Sequence, residues 1–245
     1  MKILLTGATG YIAKRLLPVL LAEGHEVVCC VRDKKRFDTT RFSSGNLKVT
    51  EVNFLNKETL ANIPDDIDAA YYLIHSMSAS TGDFAAMERT SALNFRDRMN
   101  ESGIRQVIYL SGIVNNDSLS KHLSSRKTVE DVLSSGSFNL TVLRAGIILG
   151  SGSASFEIIR DLVEKLPVMI TPKWLNTRSQ PIAVQNVIEY LNGVLLKEDT
   201  YGKSFDIGGP DILTYKEMLL RFAKVRKLKR SIFVVPVMTP RLSSY

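Results

Sequence analysis

Two glycines near the start of the chain have a spacing that suits phosphate binding. TGATGYIAKRL (6–16) places Gly7 and Gly10 between an apolar run and an amphipathic segment. Glycine permits a tight turn there and lets the backbone approach a pyrophosphate. The N-terminus of the following helix offers free N–H groups and a positive dipole end. This stretch, lying after a strand and before a helix, predicts a dinucleotide site.

The end of the second apolar run, CCVRD (29–33), indicates which dinucleotide the site prefers. An acidic residue at this position binds a ribose 2′-hydroxyl in many such sites, but Val31 stands there and Arg32 follows, with further cations at 34–36. A guanidinium can hold a 2′-phosphate and stack on adenine. Asp33 argues the other way, because its carboxylate can accept ribose hydroxyls. The sequence favours NADP, with NAD as the alternative.

The elements that position these residues alternate along the chain. Helices are predicted at 11–24, 84–103 and 121–134, and strands at 2–7, 25–32, 46–54, 69–76, 105–112 and 138–150. This alternation predicts an α/β, Rossmann-type doubly wound parallel sheet with its ligands at the carboxyl edge.

The regular alternation weakens after Gly150. We therefore expect an NAD(P)-binding Rossmann domain at 1–150, with its sheet completed by parts of 180–210. A small substrate-side lobe is expected at 151–245. The apolar stretch FVVPV (233–237) is followed only by MTPRLSSY. This ending suggests a truncated lobe or an absent further domain, with a frayed natural terminus as the alternative.

Composition and charge narrow the class of protein. The 245 residues are 44% hydrophobic and 23% charged, typical of a globular protein. The net charge of +7 is local, because KVRKLKR (224–230) alone supplies five cations; no nucleic-acid partner is expected.

No run reaches the roughly 18 apolar residues of a membrane span. Cys29 and Cys30, adjacent in an apolar run, are predicted to be reduced core residues of a cytoplasmic protein. No Cys/His spacing suits a metal.

The sequence resembles the short-chain dehydrogenase/reductase superfamily, most closely its extended and atypical branches, the nucleotide-sugar epimerase-like and NmrA-like proteins. Proteins of these branches that end in this way often carry a further C-terminal domain. The resemblance covers most of the chain and rests on six stretches: TGATGYIAKRL, VNFLNKETL (52–60), VIYLSG (107–112), TVLRAGIILG (141–150), QPIAVQNV (180–187) and FDIGGPDILTYKEML (205–219).

The resemblance implies a set of cofactor-binding residues spread over the carboxyl ends of the strands. Those of the phosphate loop are Gly7, Thr9, Gly10, Tyr11 and Ile12. Adenine is expected at Asn53 and Phe54; the adenosine ribose and phosphates at Ile74, His75 and Ser76; the nicotinamide ribose at Leu110 and Ser111; and the nicotinamide amide at Ala145, Gly146 and Ile147.

At the positions where the superfamily has its catalytic residues, this chain has other residue types. Members that transfer hydride use a Ser or Thr, a Tyr and a Lys, with the Tyr as acid/base. The Ser position falls on Gly112, or on Ser111 with a shift of one residue. The Tyr and Lys positions fall on His122 and Arg126, in SKHLSSRKTVED (120–131).

Three interpretations of this change stay open. In the first, His122 is a substitute acid/base, since an imidazole titrates near neutral pH, and Arg126 binds ribose hydroxyls. In the second, chemistry falls to other residues, of which Tyr71, Tyr72, His75, Tyr109 and Tyr201 are the candidates. In the third, the protein binds NADP(H) without turnover, as a redox sensor or as a scaffold subunit for a protein partner. The substrate, if there is one, is an unknown small molecule.

Overall fold

The computed structural model describes residues 1–40, 42, 45–75, 84–113 and 121–235, without the side chains of 121–123. The chain divides into two compact units. The first comprises Met1–Ala145 and Ile188–Asp206. The second comprises Gly146–Val187 and the described residues from Ile207 onward.

Strands and helices alternate through the first 145 residues. They are β1 (Lys2–Leu5), α1 (Ala13–Ala22), β2 (Glu26–Val31), β3 (Leu47–Glu51), β4 (Ala69–Tyr72), α2 (Phe84–Ser102), β5 (Gln106–Gly112), α3 (Lys121–Ser134) and β6 (Asn139–Ala145). Short 3₁₀ helices at Lys34–Arg36 and Lys57–Asn62 follow β2 and β3.

Shorter elements make up the rest of the described chain. They are β7 (Ile148–Leu149), α4 (Ala154–Lys165), β8 (Val168–Pro172), β9 (Arg178–Ser179), β10 (Ile182–Ala183), α5 (Val184–Gly193), β11 (Ser204–Ile207), β12 (Leu213–Thr214), α6 (Tyr215–Val225) and β13 (Ser231–Val235). Two further 3₁₀ helices lie at Lys173–Asn176 and Glu198–Thr200.

Seven strands form the central sheet in the order β11-β6-β5-β4-β1-β2-β3. The pairings of β1 with β2 and β4, of β2 with β3, and of β5 with β4 and β6 are all parallel. The order reverses between β1 and β4, because β2 and β3 extend the sheet to one side and β4 to β6 to the other. The predicted Rossmann-type α/β fold is confirmed, and this reversal is where such sheets bind ligands.

The central strands read as apolar runs because both of their faces are buried. Ile3, Leu4 and Leu5 of β1 have no exposed surface. Cys29 and Cys30 of β2 are buried, free thiols, as the sequence predicted. Rigid strands of this kind hold the loops at their carboxyl ends in place.

Within the first unit, hydrogen bonds join residues 188–206 to strand β5 of the central sheet. Gln106 at the start of β5 has no exposed surface. Its side-chain amide donates to Thr141 Oγ1 (2.8 Å) and to the carbonyl of Val194 (3.0 Å), and its carbonyl accepts from the N–H of Leu196 (2.5 Å). One glutamine side chain thus bonds to three polar groups of two neighbouring segments, and it is the acceptor for the N–H of Leu196.

The second unit has a small core of its own. The side chains of Val163, Met169, Leu175, Leu219, Ala223 and Ile232 form it. The parallel pair β8–β13 packs one face on this core. A capping box begins α6, in which Thr214 and Glu217 bond reciprocally to each other's backbone N–H groups. Within the described part of the chain, no helix is long and apolar enough to cross a membrane.

Candidate functional site

The phosphate-type loop after β1 lies directly against the end of β4. Gly7 has a φ of +61°, and a Cβ built on it would lie 2.6 Å from the carbonyl oxygen of Leu73. Only glycine therefore combines this backbone conformation with this close approach. The N–H of Gly10 donates back to the carbonyl of Gly7 (2.7 Å), which closes the turn.

The loop is connected to β4 by a buried threonine and leads into an uncapped helix. Thr6 Oγ1 donates to the carbonyl of Tyr71 (3.0 Å) and accepts from the N–H of Leu73 (3.0 Å). Helix α1 has Ile12 at its N-cap, where no side chain caps the backbone N–H groups. The N–H groups of Lys14 and Arg15 donate to the carbonyls of Gly10 (3.1 Å) and Ile12 (3.0 Å). The positive end of the helix dipole still favours an anion at this position.

The loop is held from outside by a stacked arginine. The Arg15 guanidinium lies 3.8 Å from the centre of the Tyr11 ring, and its Nη1 donates to the Tyr11 carbonyl (3.2 Å). The Tyr11 hydroxyl is buried and has no hydrogen-bond partner in the described structure. Tyr11 and Ile12 thus shape the loop, although neither lines the cleft beside it.

A cleft of about 300 Å³ opens where the strand order reverses, and we call it the switch-point cleft. The predicted site residues that it brings together are Gly7, Thr9, Gly10, Arg32, Asn53, Phe54, Ile74 and His75. Its other lining residues are Cys30, Val31, Val52, Leu55, Leu73, Met87 and Ser91. Sequence reasoning singled out Val31 but missed the other members of this group; Met87 and Ser91, for example, belong to a helix without any recognisable binding motif.

The cation predicted to select the cofactor lines this cleft, and its acidic neighbour does not. Arg32 is exposed and lies at the cleft wall. The carboxylate of Asp33 instead accepts from the N–H of Lys35 (2.9 Å) and caps the 3₁₀ helix that follows. The acid that argued for NAD at the sequence level is therefore used in a local turn.

The end of the cleft at Asn53 and Phe54 is built on a tight turn after β3. Asn53 Oδ1 accepts from the N–H of Leu55 (3.1 Å). Asn94 of α2 donates to the carbonyl of Phe54 (2.7 Å), and the Phe54 ring packs on Phe95 at 5.8 Å between centroids. Helix α2 therefore positions Phe54, one of the two residues that the resemblance assigns to adenine.

A buried carboxylate joins the cleft to helix α3. Glu88 of α2 is only 4% exposed. Its Oε1 lies 2.9 Å from Nδ1 of His75, and its Oε2 accepts from the hydroxyl of Ser125. His75 lines the cleft, and Ser125 immediately precedes Arg126, so one side chain links the end of β4 to the helix that carries the candidate catalytic pair.

The polar groups at the end of β5 are enclosed. Ser111 is 1% exposed, and its Oγ has no hydrogen-bond partner of normal geometry among the described residues. The Tyr109 hydroxyl makes a long contact with the carbonyl oxygen of Arg126 (3.4 Å). Burial raises the pKa of Tyr109 to about 12, although Ser111 and Arg126 oppose that rise. Tyr109 is therefore a neutral core phenol near pH 7.

The other tyrosines of the central strands are also core residues. Tyr71 and Tyr72 are at most 1% exposed. Burial raises the pKa of both well above the ordinary value of a phenol. The Tyr71 hydroxyl donates to the carbonyl of Leu191 (3.0 Å). Neither has access to a ligand, which leaves His75 as the strand-end candidate that faces a cleft.

Several predicted site residues do not line the cleft, and others are not among the residues that the structure describes. Leu110 is partly buried, and Ala145 is the register partner of Gly112 at the carboxyl end of β6. Gly146 and Ile147 belong to the second unit, where a Cβ on Gly146 would lie 2.9 Å from the carbonyl of Gln180. Ser76 and the side chain of His122 lie outside the described residues.

Comparison with known families assigns this part of the chain to a family. A family model described as NAD(P)H-binding matches residues 7–163, which contain the phosphate-type loop and every residue that lines the cleft. The features of the loop fit such a ligand, since it offers a close backbone approach and an uncapped helix N-terminus. Among curated proteins, a sequence search found no match.

Solved structures share the fold at low identity. A nucleoside-diphosphate-sugar epimerase from Staphylococcus aureus superposes with a TM-score of 0.78 at 18% identity, over 97% of this chain and 81% of that one. The Bordetella bronchiseptica enzyme WbmG in complex with NAD and UDP gives 0.79 at 12% identity, over 96% and 82%. UDP-glucose 4-epimerase from Thermotoga maritima, with UDP-glucose, gives 0.77 at 14% identity, over 99% and 88%.

The family match covers more than half of the chain, and the fold agrees with it. The sheet order, the glycine loop and the switch-point cleft are all in the places that a dinucleotide-binding domain requires. The chain belongs to the NAD(P)H-binding family and has a Rossmann-type fold.

Proposed function

We propose that the protein binds NADP(H) in preference to NAD(H), with the adenosine end of the cofactor in the switch-point cleft. The observation that carries this proposal is that the side chains of Arg32 and Asp33 have different positions and partners. Arg32 lines the cleft, whereas the Asp33 carboxylate caps a backbone turn. A 2′-phosphate would pair with the guanidinium, and a bare 2′-hydroxyl would lack the usual carboxylate acceptor.

Calorimetric titration with NADPH, NADP, NADH and NAD tests this preference. Arg32→Ala should weaken NADPH binding roughly 10- to 100-fold, as expected for loss of a charge-assisted hydrogen bond. The affinity for NADH should change by less than about threefold. Lys35→Ala is the matched control, since it removes an exposed cation from a residue that does not line the cleft. Equal loss of NADPH and NADH binding in Arg32→Ala would overturn the assignment.

For the reaction, we propose oxidoreductase or epimerase-like chemistry in which His122 and Arg126 take the positions of the usual Tyr and Lys. Both residues lie on α3. An imidazole can hold or release a proton near neutral pH. The guanidinium of Arg126 would bind ribose hydroxyls, although its planar fork differs from the point charge of Lys. The bound cofactor would supply or accept the hydride.

The burial of Ser111 favours a second candidate, a non-catalytic NADP(H) sensor or scaffold subunit. In the standard mechanism a Ser or Thr hydroxyl binds the substrate oxygen, but Ser111 is 1% exposed. Tyr71, Tyr72 and Tyr109 are likewise core residues rather than proton donors. A protein without an accessible donor would bind the cofactor and report its redox state.

A turnover screen separates the two candidates. The protein would be mixed with NADPH or NADP and a panel of carbonyl compounds and UDP-sugars, the latter because solved relatives of the same fold hold UDP and UDP-glucose. An enzyme should change the absorbance of the nicotinamide or convert a sugar, and His122→Phe should abolish that change without altering NADPH affinity. A sensor should convert nothing and bind NADPH and NADP with different affinities.

A further inference from the structure

The His75–Glu88–Ser125 chain is the least expected feature of the switch-point cleft. A carboxylate that is 4% exposed is costly unless donors satisfy it. Among the residues that the structure describes, Glu88 has donors on two elements: the hydroxyl of Ser125 on α3, and Nδ1 of His75 at 2.9 Å. Three separate elements therefore meet at one carboxylate.

This arrangement sets the tautomer of His75. Because a carboxylate only accepts hydrogen bonds, Nδ1 must carry the proton. In the neutral imidazole the other ring nitrogen, Nε2, then carries a lone pair and acts as an acceptor. Hydrogen bonding of one imidazole nitrogen by a carboxylate commonly fixes the role of the other. The His75 side chain is 25% exposed and contributes to the lining of the cleft.

An acceptor in this cleft selects among the groups of a dinucleotide. Phosphate oxygens and the adenine ring nitrogens are acceptors and cannot pair with it, whereas the ribose hydroxyls and the adenine amino group are donors. We propose that His75 accepts a hydrogen bond from a ribose hydroxyl of the adenosine half of the ligand, and that Glu88 is the positioning residue that holds the imidazole in the accepting tautomer. This inference rests on the proposed dinucleotide binding.

Through Ser125 the same carboxylate is fixed to α3. Ser125 is 3% exposed and lies next to Arg126. Loss of Glu88 would therefore free the imidazole at the cleft and remove a polar contact between α2 and α3. A purely structural role predicts only loss of stability, whereas a positioning role also predicts a change in ligand discrimination and in the protonated nitrogen of His75.

The ligand arm of the test compares ADP with 2′,3′-dideoxy-ADP by calorimetry. The wild-type protein should bind ADP about three- to tenfold more tightly, the range expected for one hydrogen bond. In His75→Ala the two ligands should bind equally. Inosine diphosphate distinguishes the adenine amino group, the other donor in this half. If His75→Ala abolishes discrimination against inosine diphosphate and leaves the ribose discrimination intact, the ribose assignment is wrong.

A second experiment uses ¹⁵N NMR to determine which nitrogen of the His75 imidazole carries the proton. Wild type and Glu88→Gln should both show His75 protonated on Nδ1, because the glutamine carbonyl can still accept. Glu88→Leu should move the proton to Nε2 and abolish the preference for ADP over its dideoxy form. Glu130→Gln is the matched control, since Glu130 pairs with Arg144 and lies outside the cleft; it should change neither readout.

The outcomes separate this inference from the proposed function. If the wild type binds no adenine nucleotide or dinucleotide, the proposed function fails. If it binds them but His75→Ala keeps the full preference for ADP, only the present inference fails. An unchanged His75 tautomer in folded Glu88→Leu would also overturn it. If Glu88→Leu does not fold, Glu88→Gln and the partly exposed His75→Ala decide the question.

Discussion

At the scale of single residues, Gly7 is the position where backbone geometry and ligand binding depend on each other most directly. We expect Gly7→Ala to destabilise the fold and to abolish dinucleotide binding, because the added Cβ would lie 2.6 Å from the Leu73 carbonyl at a φ of +61°. The clash should cost about 1–3 kcal/mol beyond the backbone strain. Denaturant unfolding and calorimetry would measure the two effects.

Gly24→Ala provides the control for that experiment. Gly24 also has a positive φ, +80°, but a Cβ there would meet nothing within 4 Å. It should show only the left-handed backbone penalty, about 1–2 kcal/mol, with NADPH affinity unchanged. If the two variants lost the same stability and both kept NADPH binding, the close approach of loop and strand would not matter.

The two cysteines give a prediction about pH. Burial raises the pKa of Cys29 to about 12 and that of Cys30 further. Because the thiolate is the reactive form, neither should react with a thiol reagent at pH 8 until the protein unfolds. The same shift means that the native state should lose stability as the pH rises above about 8.5, where only the unfolded chain ionises. Rapid labelling of the native protein would contradict this.

Much of the glycine loop could be predicted at this scale, because its glycines have a local, recognisable spacing. Arg32 lines the cleft, and its role in choosing the cofactor stays a prediction. The role of Asp33 could not be read from composition. Whether that carboxylate faces a ligand or caps Lys35 depends on how the chain turns after β2. The hydrogen bond between His75 and Glu88 could not be predicted either, since it joins residues 13 positions apart on different elements.

At the scale of elements, a substitution of Gln106 tests how residues 188–206 are held against the central sheet. Gln106→Leu would keep the volume but leave the Leu196 N–H without its acceptor and remove one of the donors to the Val194 carbonyl. We expect a loss of about 2–4 kcal/mol in the free energy of unfolding, measured in urea. Gln185→Leu, the same change at an exposed site on α5, should stay within about 0.5 kcal/mol. Similar effects of both would mean that Gln106 is not an anchor.

Helix α3 was predicted at 121–134, and the structure places it at Lys121–Ser134. The strands were found with ends that differ by a few residues; the sixth predicted strand, 138–150, is divided into β6 and β7. Apolar runs reveal buried strands well. They do not reveal where a strand leaves one unit for another, because that depends on tertiary packing. For the same reason the contribution of α2 to the cleft, through Met87 and Ser91, was missed.

At the scale of the whole molecule, the sheet order and the family match agree on one ligand class. The reversal between β1 and β4 creates the cleft, and the NAD(P)H-binding family match spans all the residues that line it. The fold alone does not set the reaction, since sites differ among proteins of one fold. The reaction therefore has to be argued from His122, Arg126 and their surroundings.

NADPH binding should also stabilise the protein as a whole. A ligand present at about 100 times its dissociation constant adds roughly 2.7 kcal/mol to the free energy of unfolding. The midpoint of thermal unfolding should therefore rise with NADPH concentration in the wild type, and rise much less in Arg32→Ala at the same concentrations. An equal rise in both proteins would argue against the contact of Arg32 with the 2′-phosphate.

The most direct test of the central claim is amide NMR of the wild-type protein during an NADPH titration. If the adenosine end of the cofactor occupies the switch-point cleft, the signals of Gly7, Gly10, Arg32 and Asn53 should shift together and saturate at one equivalent. Amides of the second-unit core around Leu219 should move far less. Saturable shifts that spare the glycine loop, or no saturable shift at all, would contradict the account.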